Sequence, residues 1–241
     1  MRTSIDSIET FSTVDGPGIR TIVFFNECIL RCIYCHNPEM WCKRNENYTA
    51  PELVEKILKN KEYFGESGGV TFSGGEPLLQ NKFLIEVCKK LKKEDIHIAL
   101  DTSGVGIGNY EEILKYIDLI IFDIKHVTQD GYKKVTRMYT NEYENFLDVA
   151  NKLNKKFWLR QVIVPGIMDN EEYLESLNKY IKNNFNLDNI EKIEFLPYHK
   201  LGREKYIKLN IPYPCENIPE MDKEDCETLY NKFMRIYKNI E

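Results

Sequence analysis

Three cysteines fall within eight residues, Cys28-Ile29-Leu30-Arg31-Cys32-Ile33-Tyr34-Cys35, with the spacing C-x3-C-x2-C. Thiolates are soft donors and suit a soft metal centre. A [4Fe–4S] cube is held by cysteine thiolates and offers four iron corners. Three ligands leave one iron open to a substrate, whereas a fully ligated cluster mainly passes electrons. Structural zinc is the rival reading. Zinc takes four closed ligands, and His36 or Cys42 would supply the fourth. Buried cysteines also serve as small core hydrophobes, which does not suit three thiols grouped on one loop. Of the other cysteines, Cys88 reads as helix core, while Cys42, Cys215 and Cys226 read as free thiols.

Further along, Ser73-Gly74-Gly75-Glu76-Pro77 ends a predicted strand. Two glycines there make a tight turn, or let a ligand approach the backbone. Asp101-Thr102 closes the next strand, and Asp123 and Lys125 close the one after it. Residues i and i+2 of a strand point the same way, so Asp123 and Lys125 share one pocket, as an ordinary ion pair or as part of a polar site. Arg160 is a charge inside the apolar run Trp158-Leu159-Arg160-Gln161-Val162. Such a charge is costly unless paired; it would bridge to Asp123 or reach a ligand. His199 follows the last predicted strand, and Asp15-Gly16-Pro17-Gly18 reads as a turn.

Taken in order, these stretches form a set. Thr13-Val14-Asp15-Gly16-Pro17-Gly18-Ile19-Arg20 precedes the triplet, and His36-Asn37-Pro38 continues it. Ser73-Gly74-Gly75-Glu76-Pro77, Leu100-Asp101-Thr102-Ser103-Gly104, Phe122-Asp123-Ile124-Lys125 and Leu196-Pro197-Tyr198-His199 follow. The triplet resembles the motif of the radical S-adenosylmethionine (radical SAM) superfamily. The whole set, from residue 5 to beyond 202, resembles its glycyl-radical-enzyme activases. Only Cys42 lies between Cys35 and Ser73. The chain therefore resembles the compact, single-cluster form that serves pyruvate formate-lyase, without an inserted ferredoxin-like module.

The resemblance implies a [4Fe–4S] cluster on Cys28, Cys32 and Cys35, and S-adenosylmethionine as cofactor. The three cysteines and Lys125 would be catalytic, Lys125 pairing the cofactor carboxylate. Gly74, Gly75 and Glu76 would meet its amino end. Tyr34 would pack on adenine, with Asn37 and His199 at the nucleoside end and Arg160 in reach. Asp101, Thr102 and Asp123 would ligate a monovalent cation, and Asp15 would lie near the bound glycyl peptide. The implied partners are pyruvate formate-lyase and a flavodoxin or ferredoxin donor, in an anaerobic cytoplasm, with the activase a monomer. Two other functions remain: activation of a different glycyl radical enzyme, and a non-catalytic iron–sulfur or zinc protein that transfers electrons or binds a partner.

What must position these residues is an alternation of β and α segments. Strands are expected over residues 19–25, 69–72, 96–101, 119–125, 156–164 and 192–197. Helices are expected over 51–64, 80–93, 110–116, 141–154, 170–183 and 222–239. Thr49-Ala50-Pro51-Glu52 and Asp169-Asn170-Glu171-Glu172 mark helix starts. Alternation implies a parallel sheet with right-handed connections. A closed eight-unit barrel takes about 250 residues. Here six units follow an 18-residue lead-in, so the expected fold is an α/β open partial TIM-like barrel, (β/α)6, in one domain. Residues 199–221 read as a long loop. The motifs then fall at strand C-terminal ends, where barrel enzymes build their sites.

Composition agrees. The chain has 241 residues, 42% hydrophobic and 29% charged, with net charge −5. That supports a core and argues against disorder. A basic footprint for nucleic acid is missing. No apolar run approaches the roughly 20 residues of a membrane span, and the opening MRTSIDSIET carries no secretory h-region.

Overall fold

The computed structural model describes residues 1–139 and 141–239. In chain order the strands are β1 (Arg2–Thr3), β2 (Ile5–Ser12), β3 (Arg20–Phe25), β4 (Tyr48–Thr49) and β5 (Gly69–Gly74), then β6 (His97–Thr102), β7 (Leu119–Asp123), β8 (Lys156–Ile163) and β9 (Ile190–Pro197). The helices are α1 (Ala50–Leu58), α2 (Asn81–Lys92), α3 (Tyr110–Leu114) and α4 (Gln129–Thr136), then α5 (Asn141–Lys152), α6 (Glu171–Asn184), α7 (Arg203–Lys208) and α8 (Lys223–Lys238). The main sheet has the order β2-β3-β5-β6-β7-β8-β9. β3, β5, β6 and β7 pair in parallel, and β2 joins β3 antiparallel. The sheet is mostly parallel and not closed, as expected from the alternation.

By compactness the chain divides into two units. The first comprises Met1–Ile29, Met40–Phe122 and Asn141–Phe157; the second comprises Leu30–Glu39, Asp123–Thr140 and Trp158–Glu241.

In the first unit, the strands bury Val23, Phe25, Val70, Phe72, Ile98 and Leu100. Phe25 meets Phe72 and Phe83 edge-on, at 6.0 and 6.4 Å between centroids. α1 starts with a capping box, in which Thr49 and Glu52 satisfy each other's backbone N–H groups. Arg20 is wholly buried at the start of β3. Its Nε donates to Thr71 Oγ1 at 2.7 Å and its Nη2 to the Val70 carbonyl at 2.6 Å. Burial lowers its pKa to about 10.

In the second unit, α8 packs on β9 through Phe195 and Phe233, 5.2 Å apart. α6 buries Leu174, Leu177 and Ile181, and its N-cap Asn170 accepts from Tyr173 N.

The six expected strands and six expected helices all form, with shifted ends. The helix expected to reach residue 64 stops at Leu58, followed by a 3-10 turn over Lys61–Tyr63. Five elements were not anticipated: the two-residue pair β1 and β4, too short to show a pattern, and β2, α4 and α7. β2 lies in the presumed lead-in; register shifts between Ile5/Ser7 and Glu9/Ser12 break its period of two. α4 contains Gly131 and ends on Thr136, both weak helix formers. α7 occupies part of the presumed loop and buries only Tyr206, too little for a periodic signal.

Candidate active site

In the first unit, parallel pairing with Phe25 opposite Gly74 and Phe72 opposite Leu100 gathers the C-terminal ends of β3, β5 and β6. The segment leading to Cys28 is held there, with Glu27 N donating to the Met40 carbonyl at 2.7 Å and Cys28 N to the Trp41 carbonyl at 3.3 Å. Gly75 N and Glu76 N donate to the Phe25 and Glu27 carbonyls, both at 2.8 Å. Gly74 has φ +107°, and a Cβ on it would lie 2.4 Å from Phe25 N. A Cβ on Gly75 would lie 2.3 Å from the Glu27 oxygen and 3.3 Å from Cys28 Cβ. Only glycines let this turn lie against the cysteine segment.

Glu76 turns inward and is 1% exposed. It accepts from Thr102 Oγ1 at 2.6 Å, Ser103 Oγ at 2.6 Å and N at 2.9 Å, and Leu78 N at 3.3 Å. Burial raises its pKa against the pull of those donors. Glu76 thus ties the glycine turn to the end of β6. Asp101 accepts from Ser73 Oγ at 2.7 Å. The structure puts Asp15 nearer the N-terminal ends of β3 and β5, where its carbonyl accepts from Thr71 Oγ1 at 2.6 Å.

In the second unit, Cys32 and Tyr34 are buried and Cys35 is half-buried. The last turn of α4 holds their loop: Arg31 N and Ile33 N donate to the Thr136 and Val135 carbonyls, each at 2.9 Å. Cys215 Sγ donates to the Ile33 carbonyl at 3.2 Å. Lys125 Nζ meets Asp123 Oδ2 at 2.7 Å, with its side chain 12% exposed, and lies 5.9 Å from the Tyr34 ring centroid. Burial opposes the Lys125 charge, but Asp123 together with Tyr34 and Cys32 outweighs it, so its pKa stands well above the usual lysine value. Arg160, 7% exposed, pairs with Glu194 at 3.0 Å, and Lys192 holds the other Glu194 oxygen at 2.6 Å.

His199 stacks on His36, with ring centroids 4.0 Å apart, and His36 Nε2 donates to the His199 carbonyl at 3.1 Å. Burial, then His199, lowers the His36 pKa, leaving this imidazole neutral near pH 7. His199 Nδ1 is buried with no hydrogen-bond partner among the described residues. Asn37 Oδ1 accepts from Lys205 Nζ at 2.6 Å. A Cβ on Gly202 would lie 2.9 Å from the Cys35 oxygen and 2.8 Å from His36 Cα.

Thus Gly74, Gly75, Glu76, Asp101, Thr102 and the approach to Cys28 gather in the first unit. The loop with Cys32, Tyr34, Cys35 and Asn37 is braced in the second, which also holds the Asp123–Lys125 and Arg160–Glu194 pairs and His199. Sequence reasoning did not single out Ser73, Ser103, Glu194, Gly202 or Lys205, and it left Cys215 as a free thiol. Lys205 is one lysine in a lysine-rich chain, Ser73 and Ser103 lie inside motifs that gave them no role of their own, and Glu194 belongs to no motif.

The residues fit a thiolate-held cluster and a nucleotide cofactor. None of the three motif cysteines is in a disulfide. Burial pushes the Cys32 thiol up to about 12, so a cationic centre is what would ionise it. Among the described residues no three His, Cys, Asp or Glu side chains are grouped as ligands of one ion; a cube instead spreads three thiolates over three irons. The unpartnered His199 Nδ1 suits a polar atom of a bound nucleoside.

The profile of the radical SAM superfamily matches residues 22–188. A pyruvate formate-lyase-activating enzyme from Clostridium pasteurianum is 52% identical over 222 residues, covering 91% of this chain and 92% of that one. Another from Staphylococcus epidermidis is 43% identical over 237 residues, covering 94% and 93%. Among solved structures, a radical SAM methyltransferase from Sphaerobacter thermophilus superposes with a TM-score of 0.64 at 15% identity, over 98% of this chain and 75% of that one. A domain of a pyruvate-formate lyase-activating enzyme from Bacteroides vulgatus does so with a TM-score of 0.55 at 20% identity, over 71% and 94%. The two structures share the fold.

Proposed function

The chain belongs to the radical SAM superfamily, and from that membership and its side chains we propose that it installs the glycyl radical on pyruvate formate-lyase. The observation that carries this reading is the 52% identity to an activating enzyme, with more than nine-tenths of both chains aligned. When bound, a [4Fe–4S] cluster with one open iron supplies a docking point for S-adenosylmethionine and the electron that cleaves it reductively. The hydrogen atom taken from a glycine of the partner ends on 5′-deoxyadenosine, and the glycine keeps the unpaired electron.

The chain's residues orient these participants. Cys28, Cys32 and Cys35 ligate the cluster, and Lys125, held by Asp123, neutralises the cofactor carboxylate. Gly74 and Gly75 let its amino end approach the backbone, and Glu76 braces that turn. Tyr34 packs on adenine, and Asn37 and His199 meet the nucleoside. Arg160, paired to Glu194, keeps a cation near this end. Asp101, Thr102 and Asp123 supply the hard oxygen donors of a monovalent cation. Such placement matters because a misplaced radical reacts elsewhere.

An acidic flavodoxin or ferredoxin supplies the electron. The exposed Lys133, Lys134 and Arg137, on and just beyond α4, support its docking, since α4 holds the loop carrying Cys32. The chain acts as a monomer in an anaerobic cytoplasm. Among the described residues no helix is long and apolar enough to cross a membrane.

The test mixes anaerobically reconstituted, reduced chain and S-adenosylmethionine with pyruvate formate-lyase and looks for a glycyl radical by electron paramagnetic resonance. A signal only with another glycyl radical enzyme moves the assignment to that partner. Lack of 5′-deoxyadenosine, with the cluster intact and reduced, returns the chain to electron transfer or binding.

A further inference from the structure

We propose that Lys205 is a positioning residue for the nucleoside end of the site: it sets Asn37 so that only its amide NH2 is offered to the ligand. The inference rests on the reading of Asn37 as a nucleoside contact and adds what that contact recognises.

Lys205 lies on α7 and donates to Asn37 Oδ1 at 2.6 Å and to Glu39 Oε1. An ammonium carries three donors and no acceptor. The atom of Asn37 facing it is therefore the carbonyl oxygen, and the orientation of the amide follows from chemistry. The two Nδ2 hydrogens remain for a ligand. Asn37 in this setting selects a hydrogen-bond acceptor, such as a ring nitrogen or a hydroxyl oxygen, and disfavours a donor.

Lys205 is not a loose surface lysine. Its side chain is 39% exposed and that of Glu39 21%. Three residues before it, Gly202 packs so closely on Cys35 and His36 that a Cβ would collide with their backbone. One residue after it, Tyr206 is wholly buried, with its ring 4.9 Å from that of Tyr213. The start of α7 is thus seated on the cysteine loop, and Lys205 reaches Asn37 from a fixed base. The His36–His199 hydrogen bond joins the same two segments.

The test measures equilibrium binding of 5′-deoxyadenosine, and separately of methionine, to the reconstituted chain. The variants are Asn37→Ala, Lys205→Met, Lys205→Arg and the double Asn37→Ala/Lys205→Met, each checked by thermal melting. Lys205→Met is expected to weaken 5′-deoxyadenosine binding about tenfold, the scale of one charge-assisted hydrogen bond, and to leave methionine binding unchanged. The double variant should bind no more weakly than Asn37→Ala alone, because Lys205 acts only through Asn37, and Lys205→Arg should restore most of the affinity. Glu39→Gln, which loosens the ammonium, should give a smaller loss of the same kind and serves if Lys205→Met does not fold. Native-like binding by Asn37→Ala would remove the nucleoside reading itself. Weakened Asn37→Ala with native-like Lys205→Met, or additive losses in the double variant, would overturn the role of Lys205 alone.

Discussion

Burial raises the pKa of two acidic groups of the site. Cys32 is pushed up to about 12 by burial, a cost that only a bound cationic centre relieves. Replacing Cys32 by Ala should therefore abolish cluster binding, read as iron and sulfide content, and 5′-deoxyadenosine formation with it. Cys42→Ala should leave both intact, because Cys42 is exposed and the proposed iron corner needs no fourth side chain. Glu76 is also lifted by burial, but its neutral form is what the fold favours. That contribution is complete below the ordinary carboxylate pKa and is lost as pH rises through the lifted one. In Glu76→Gln the side chain does not titrate. The melting-temperature advantage of the native chain over this variant should shrink as pH rises from the acid range toward neutrality. A gap that widens over that range would contradict the buried brace. The Glu76 motif was legible from its glycines, whereas its partner Ser103 was found only once the ends of β5 and β6 lay side by side.

Elements place these residues through their ends. α1 begins with a reciprocal cap between Thr49 and Glu52. Thr49→Ala should cost about 1 kcal/mol, measured by denaturant unfolding, with little change in cofactor cleavage. α4 is held to the cysteine loop by its last-turn carbonyls and presents the exposed Lys133 and Lys134 to solvent. Reversing both charges to Glu should slow cluster reduction by an acidic flavodoxin, most at low salt, and leave reduction by dithionite unchanged. Equal slowing with both reductants would remove α4 as a docking face. α4 escaped the sequence reading because a glycine and a terminal threonine mask its propensity, and α7 because six residues are too few to show a period.

At the scale of the whole molecule the reaction joins a bound cofactor to a protein partner. Stripping the cluster should eliminate cofactor cleavage, and anaerobic reconstitution with iron and sulfide should restore it. The chain alone should run as a monomer in light scattering. The mostly parallel, open sheet was legible from alternation alone, since helices between strands force parallel pairing. The antiparallel β2 at one end of the sheet order was not legible, because its register shifts erase the alternation that marks a strand.

The sequence by itself determined the chemistry and its order along the chain. Three thiols at a tight spacing, glycines before Glu76, and acids and a lysine at strand ends are short-range patterns that survive without coordinates. Tertiary structure decided which side chain each of them leans on. Arg160 met Glu194, Glu76 met Thr102 and Ser103, Asn37 met Lys205, and Cys215 reached Ile33. These partners lie 26 to 182 residues apart in the chain. No local propensity or period connects positions so distant; only the packing of strands and the seating of α7 bring them within bonding distance.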